Sequence, residues 1–367
     1  MRAIKTGNES TFLAGLAADP ALRGSERDYF DNLQDLPLAR FGYRLDTASV
    51  QEQQADDGSY RVQAELTVVT QLDGFDDRPV RAPARFVFER ADDGTLLLTS
   101  THDAAWEADH GVTRQPWETE RVEVINSDQV LGIFDKPSAA HGWQIVDDVA
   151  DALAAIRPEL PVEWDSGVVV YGLSTTEFLS SLADLPGGVP DRLDGVAFPV
   201  PISPGSQTYA STRFLLHPRM VGRRDDARRR LIRHELVHVG LGRLDDRIPT
   251  WLSEGIAEYL AARPIAPQDR LISRDAVNAA QRGITELPSD QEFNGDDSSA
   301  NYGIAWFACD YIADTYGEST LWKLFNVMRA GNGTASADQD EVLRDVLGVG
   351  EADLARATGD RITSVFG

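Results

Sequence analysis

Cysteine is nearly missing from this chain: 367 residues hold one, Cys309. An internal disulfide framework and any metal site built from several thiolates are thereby excluded. Lysine is almost as scarce, found only at Lys5, Lys136 and Lys323, so nearly all the basic residues are arginine. Basic charge is outnumbered, 35 Lys+Arg against 59 Asp+Glu for a formal net charge of −24. That balance opposes binding to a phosphate backbone, so no nucleic-acid partner is expected. No apolar run approaches the roughly 20 residues of a membrane-spanning helix. The longest lies near Val168–Leu173 and has the length of a strand. The start, Met1-Arg2-Ala3-Ile4-Lys5-Thr6-Gly7, lacks the apolar core of a secretion signal. Helical spacing begins almost at once, so the chain reads as a mature form or one trimmed at its start. What is present, 42% hydrophobic and 26% charged residues, is the composition of a folded globular protein. Its length exceeds what one core usually supports and predicts two domains.

Two patterns divide the chain near residue 135. Ile4, Phe12, Leu13 and Leu16, then Tyr29, Phe30 and Leu33, lie near helical spacing. The period then becomes two over Tyr43–Val50, Tyr60–Thr70, Val80–Glu89 and Thr95–Ser100, with Asp-Asp-Gly turns at 56–58 and 92–94. Residues 1–135 are thus expected to form N-terminal helices packed on a curved antiparallel sheet. This order resembles the nuclear transport factor 2-like cone. Residues 136–367 read as a second domain. A helix is predicted over Ala139–Ile156, ended by Pro158 and Pro161. Strands are predicted at Val168–Tyr171, Gly195–Val200 and Arg213–Leu216, with a short helix over Thr175–Leu185. From Asp225 to Ile362 nearly everything reads as helix. The fold class expected is α+β.

The segment Asp225–Leu241 carries the chemistry. Asp225 or Asp226 can cap a helix, and Ile232, Leu236 and Val239 form one buried stripe. His234 and His238 are one helical turn apart and project from one face, where each can offer a neutral nitrogen to one Zn²⁺. Glu235 sits beside that face, poorly placed to ligate the ion but able to reach a water bound to it as general base. The same residues could also share a helix face with no metal. The sequence Pro249-Thr250-Trp251-Leu252-Ser253-Glu254-Gly255-Ile256-Ala257-Glu258-Tyr259 then reads as a loop entering a second helix. If the first helix ends at Gly240–Gly242 and the chain reverses, Glu254 comes opposite the histidines as third zinc ligand. Glu258 lies four residues on. Two inward carboxylates at that spacing repel unless something cationic stands between them: zinc at Glu254, and the free N–H of a ligand histidine at Glu258.

Residues 234–259 resemble the gluzincin metallopeptidases, with H-E-x-x-H followed by E-x-x-x-D/E on a second helix. Trp-Leu-Ser-Glu-Gly-Ile-Ala-Glu-Tyr (251–259) is similar to the form found in aminopeptidase-like and actinobacterial peptidase MA-like members. The resemblance covers roughly residues 165–330 and implies an α+β catalytic domain with one zinc per chain. It also implies hydrolysis of peptide or protein substrates by a zinc-bound water that Glu235 activates, and it leans toward an extracytoplasmic bacterial protein. The helix beginning near Asn301-Tyr302-Gly303 is similar to the aminopeptidase-like helix whose tyrosine stabilises the oxyanion, which would assign that role to Tyr302; a core aromatic is the other reading. The chain departs from the family's upstream G-x-M-E-N pattern, so exopeptidase action is not implied. Peptidases of this class hold substrate along a sheet edge, here Gly195–Val200, which could equally be an ordinary strand. Two alternatives from other classes are a metallopeptidase-like binding protein without turnover and a zinc hydrolase acting on a non-peptide amide.

Other features read as structural. The arginines at 223, 224, 228, 229, 230 and 233 are expected on a solvated, ion-paired face. His217 reads as structural or surface, and His102, His110 and His141 show no ligand spacing. Cys309 is expected as a buried thiol. The Asp-Asp pairs at 92–93, 245–246 and 296–297 are expected in turns.

Overall fold

The fold is α+β. The computed structural model describes residues 2–54, 60–91, 93–182, 185, 189–331 and 336–367. Two compact units are interleaved along the chain: Met1–Asp147 with Asp165–Ala183 and Phe198–Gly222, and Asp148–Trp164 with Asp184–Ala197 and Arg223–Gly367.

The first unit opens with α1 (Arg2–Lys5), α2 (Glu9–Leu13) and α3 (Pro20–Asp35). Asp19 accepts hydrogen bonds from the Ala21 and Leu22 N–H groups, and Pro20 takes the first helical position, so α3 starts where its orphan donors are satisfied. An antiparallel sheet follows: β1 (Leu38–Leu45), β2 (Gln51–Gln54), β3 (Tyr60–Leu72), β4 (Val80–Arg90) and β5 (Leu96–Ser100). Its order is β1-β3-β4-β5, with β2 also paired to β3. Val62, Ala64, Leu66 and Val68 bury one face of β3, as its alternation requires. The strand expected over 43–50 instead begins at Leu38 and stops at Leu45. Asp46 is the reason: its side chain accepts from the Ala48 N–H and its carbonyl from the Ser49 N–H, closing a turn. At the second Asp-Asp-Gly, Gly94 turns with φ +84° and Asp93 accepts from the Thr95 N–H; Asp92 and the whole turn at 56–58 lie outside the described residues.

After α4 (Ala104–Asp109) comes a second sheet: β6 (Val122–Asn126), β7 (Val130–Asp135), β8 (Val168–Gly172), β9 (Gly195–Pro201) and β10 (Tyr209–Leu216), in the order β6-β7-β8-β10-β9. β7 pairs parallel with β8, and β8 with β10. Both β7 and β8 are buried along their whole length, which is why β8 reads as an apolar run. α5 (Gly142–Ile156) makes the crossover from β7 to β8. The expected division at 135/136 therefore falls between two strands of one sheet. The change of period there marks the switch from hairpins to a parallel crossover, and period does not report pairing. α6 is only Glu177–Ser181, and α7 spans Pro218–Val221.

A buried polar cluster ties the elements of this unit together. Arg213 on β10 donates to Asp76 Oδ1 at 2.8 Å and to the Tyr171 hydroxyl at 2.8 Å, while Asp76 Oδ2 accepts from the Leu72 N–H that ends β3. The Arg213 and Asp76 side chains are 2% and 1% exposed.

The second unit holds α8 (Asp226–Leu241), α9 (Thr250–Ala262), α10 (Arg274–Arg282), α11 (Ser298–Tyr316), α12 (Glu318–Gly331), α13 (Ser336–Leu347) and α14 (Glu351–Phe366). α11 is the hub, packed by α9, α10, α12 and α14. Its run from Gly303 to Asp310 is buried on every side, with Cys309 a free buried thiol as expected. Gly255 lets α9 approach it: a Cβ there would overlap the Ala305 carbonyl oxygen and lie 2.7 Å from Cys309 Sγ. Among the described residues no helix is long and apolar enough to cross a membrane.

Candidate metal centre

α8 forms where the sequence placed it. Asp225 caps it by accepting from the Arg228 N–H, and Ile232, Leu236 and Val239 are buried along one stripe. Gly242, at φ +50°, ends the helix. A 3₁₀ turn over Gly242–Arg247 then reverses the chain into α9, which packs against α8.

That reversal sets three ligand-type atoms in a near-equilateral triangle. His234 Nε2 lies 3.2 Å from His238 Nε2 and 3.1 Å from Glu254 Oε2, and His238 Nε2 lies 3.4 Å from Glu254 Oε2. Zn–N and Zn–O bonds of about 2.0–2.1 Å at tetrahedral angles put neighbouring ligand atoms roughly 3.3 Å apart, so the three positions suit one small ion. The side chains are at most 14% exposed. Glu254 Oε2 is buried and makes no directed hydrogen bond despite both ring nitrogens being close. An orphaned carboxylate oxygen in a buried site is costly, and a cation at the point where the three atoms converge would satisfy it. Two imidazoles and one carboxylate are also a donor set suited to zinc.

Without a metal, the carboxylates and imidazoles shift one another's pKa values. Burial raises the pKa of Glu254, but His238 and His234 more than offset it and hold the carboxyl well below the usual range. Burial would lower His234, yet the Glu254 and Glu258 carboxylates carry it up to about 9. His238 is likewise held well above its ordinary value by Asp245 and Glu254.

Each histidine has a second carboxylate on its far nitrogen. His234 Nδ1 is 3.3 Å from Glu258 Oε1, the position expected of Glu258. Its other oxygen, Oε2, accepts from Arg230 Nη2. His238 Nδ1 is 2.5 Å from Asp245 Oδ2. Asp245 lies on the 3₁₀ turn, so its place in a turn is as expected, but its side chain faces the site. Only its position just past the histidine helix, within reach of a ring on the last turn, could have signalled that.

Glu235 is buried beside the triangle and takes no part in it. Burial raises its pKa, partly offset by His234 and His238. The Ala197 backbone on β9 lowers it slightly as well. Tyr302, in the second turn of α11, brings its ring 6.2 Å from that of His234. Its hydroxyl makes a long 3.5 Å hydrogen bond to Asn294 Oδ1. Burial first, then the charges of Glu254, Glu235 and Glu258, push its pKa well up, so the hydroxyl keeps its proton.

The arginine run needs correction. Arg223 and Arg229 are exposed and paired with Asp225 and Asp226. Arg228, however, is fully buried against Asp148, and Arg230 lies 4.4 Å over the Trp306 ring while holding Glu258. An amphipathic reading of α8 fails here because Asp148 of α5 meets Arg228, while Glu258 of α9 and Trp306 of α11 meet Arg230. His217 is structural as expected: it caps α7 by accepting from the Arg219 N–H. No protein-family model matches the chain, and no curated protein matches it.

Proposed function

We propose that this chain is a zinc-dependent peptidase of the gluzincin kind, with His234, His238 and Glu254 as its zinc ligands. The observation that carries this reading is the triangle of ligand atoms with Glu235 buried at its side. Zinc held there supplies Lewis acidity to a water and to the substrate carbonyl. Glu235, its carboxyl raised by burial, lies beside the triangle where it can exchange protons with a water and a substrate. It takes the proton of the attacking water as the oxygen bonds to the carbonyl carbon. It then passes that proton to the departing nitrogen as the C–N bond breaks. Tyr302, still protonated, donates to the oxyanion between those events. The edge strand β9 is the backbone along which an extended peptide pairs.

The test is digestion of a diverse peptide library by the native chain and by Glu235→Gln, both loaded with zinc. Cleavage by the native chain that disappears in the variant, with zinc content unchanged, is the expected result. No cleavage by either protein would overturn the peptidase assignment.

A further inference from the structure

The two histidines are held differently from behind. Glu258 divides its carboxylate, one oxygen toward His234 Nδ1 at 3.3 Å and the other on Arg230. Arg230 is itself fixed, stacked on Trp306 and donating to the Leu271 carbonyl at 3.1 Å. Asp245 approaches His238 Nδ1 more closely, at 2.5 Å, and its other oxygen is buried with no hydrogen bond of its own. The 3₁₀ turn that follows α8 sets it there, seven residues beyond the histidine.

We propose that Asp245 is the positioning residue of the metal centre. It fixes the proton of His238 on Nδ1, which turns the Nε2 lone pair toward His234 Nε2 and Glu254 Oε2, and it strengthens His238 as a donor. A carboxylate behind a ligating imidazole acts in this way, and its loss typically lowers metal affinity about 10- to 100-fold. The assignment rests on the zinc reading above and adds a residue that neither ligates nor touches substrate.

The experiment is equilibrium competition of the full chain with a chromophoric chelator for Zn²⁺, together with the visible absorption of the Co²⁺-substituted protein. Asp245→Asn, which keeps the shape and removes the charge, is expected to lose about 10- to 100-fold in zinc affinity. It should keep one site and native circular dichroism, and its Co²⁺ bands should shift. Asp245→Ala repeats the measurement without an amide that could re-bond the ring. Asp246→Asn, on the same turn, should leave affinity and bands unchanged. Native affinity and native Co²⁺ bands in both Asp245 variants, with the native chain binding one zinc, would overturn this assignment alone. A native chain that binds no zinc would overturn the zinc reading and this inference with it.

Discussion

His234 Nε2 and Glu254 Oε2 face each other at 3.1 Å from two different helices, both buried. Glu254 Oε2 makes no directed hydrogen bond, although the two charges shift each other's pKa. The contact has the spacing of two ligands sharing an ion.

Metal removal should therefore cost stability. A ligand present at a thousand times its Kd stabilises the folded state by about 4 kcal/mol. Chelation is expected to lower the melting temperature, and Zn²⁺ to restore it where Mg²⁺ does not. His234→Ala should show no response to either treatment. Thermal melts with metal analysis check this.

Zinc affinity should rise with pH. Burial would lower His234, but Glu254 and Glu258 hold it up at about 9 against an ordinary 6.5, so the metal-free pair keeps at least one proton at neutral pH. A ligating imidazole must release that proton. A raised folded-state pKa adds stability that is full below the unfolded value and is lost as pH climbs through the folded one. The metal-free protein should accordingly lose stability between pH 6.5 and about 9. Affinity should climb over the same interval, up to about tenfold per pH unit for each proton released. Chelator competition at stepped pH measures it, and a flat profile would contradict it.

Tyr302→Phe removes the hydroxyl proposed to donate to the oxyanion. The expected loss is about 10²–10³ in kcat, with KM and zinc stoichiometry held. Steady-state kinetics on a peptide that the native chain cleaves will decide, and an equal loss in KM alone would count against the role.

Gly255→Ala places a methyl group against Ala305 and Cys309. Overpacking of this kind costs about 1–3 kcal/mol, readable by urea unfolding. Because α11 carries Tyr302, kcat should fall as well.

Asp76→Ala strands the Arg213 guanidinium, which is 2% exposed. Leaving one partner of a buried ion pair costs about 3–5 kcal/mol. Urea unfolding should report that loss while zinc binding stays unchanged, since the pair lies in the first unit.

Much of the site was legible because α-helical spacing is rigid. Four-residue steps put His234 and His238, then Glu254 and Glu258, on single faces, and Gly242 marked where α8 had to stop. What escaped were side chains whose role depends on a neighbour far along the chain. Arg230 looks like one more surface arginine until Trp306 is laid beneath it and Glu258 beside it. Asp245 looks like any turn aspartate until its rotamer meets His238. In the fold, alternation located β3 and β4 closely, while the turn at Asp46 shifted β1, and β7 joined β8 across the expected boundary. Alternation speaks of which face is buried; it carries no information about which strand lies alongside.

The sequence by itself determined the composition limits, the helical stretch from Asp225 onward and the order of the candidate ligands. Each of those rests on local periodicity, capping or residue chemistry, which act within one or two turns of chain. The tertiary structure alone decided that three ligand atoms close to within 3.1–3.4 Å. It alone brought Asp245 to His238, and it alone buried Arg228 and laid Arg230 over Trp306. Those outcomes follow from the reversal over Gly242–Arg247 that packs α9 on α8, and from contacts with α5 and α11, between residues far apart in the chain.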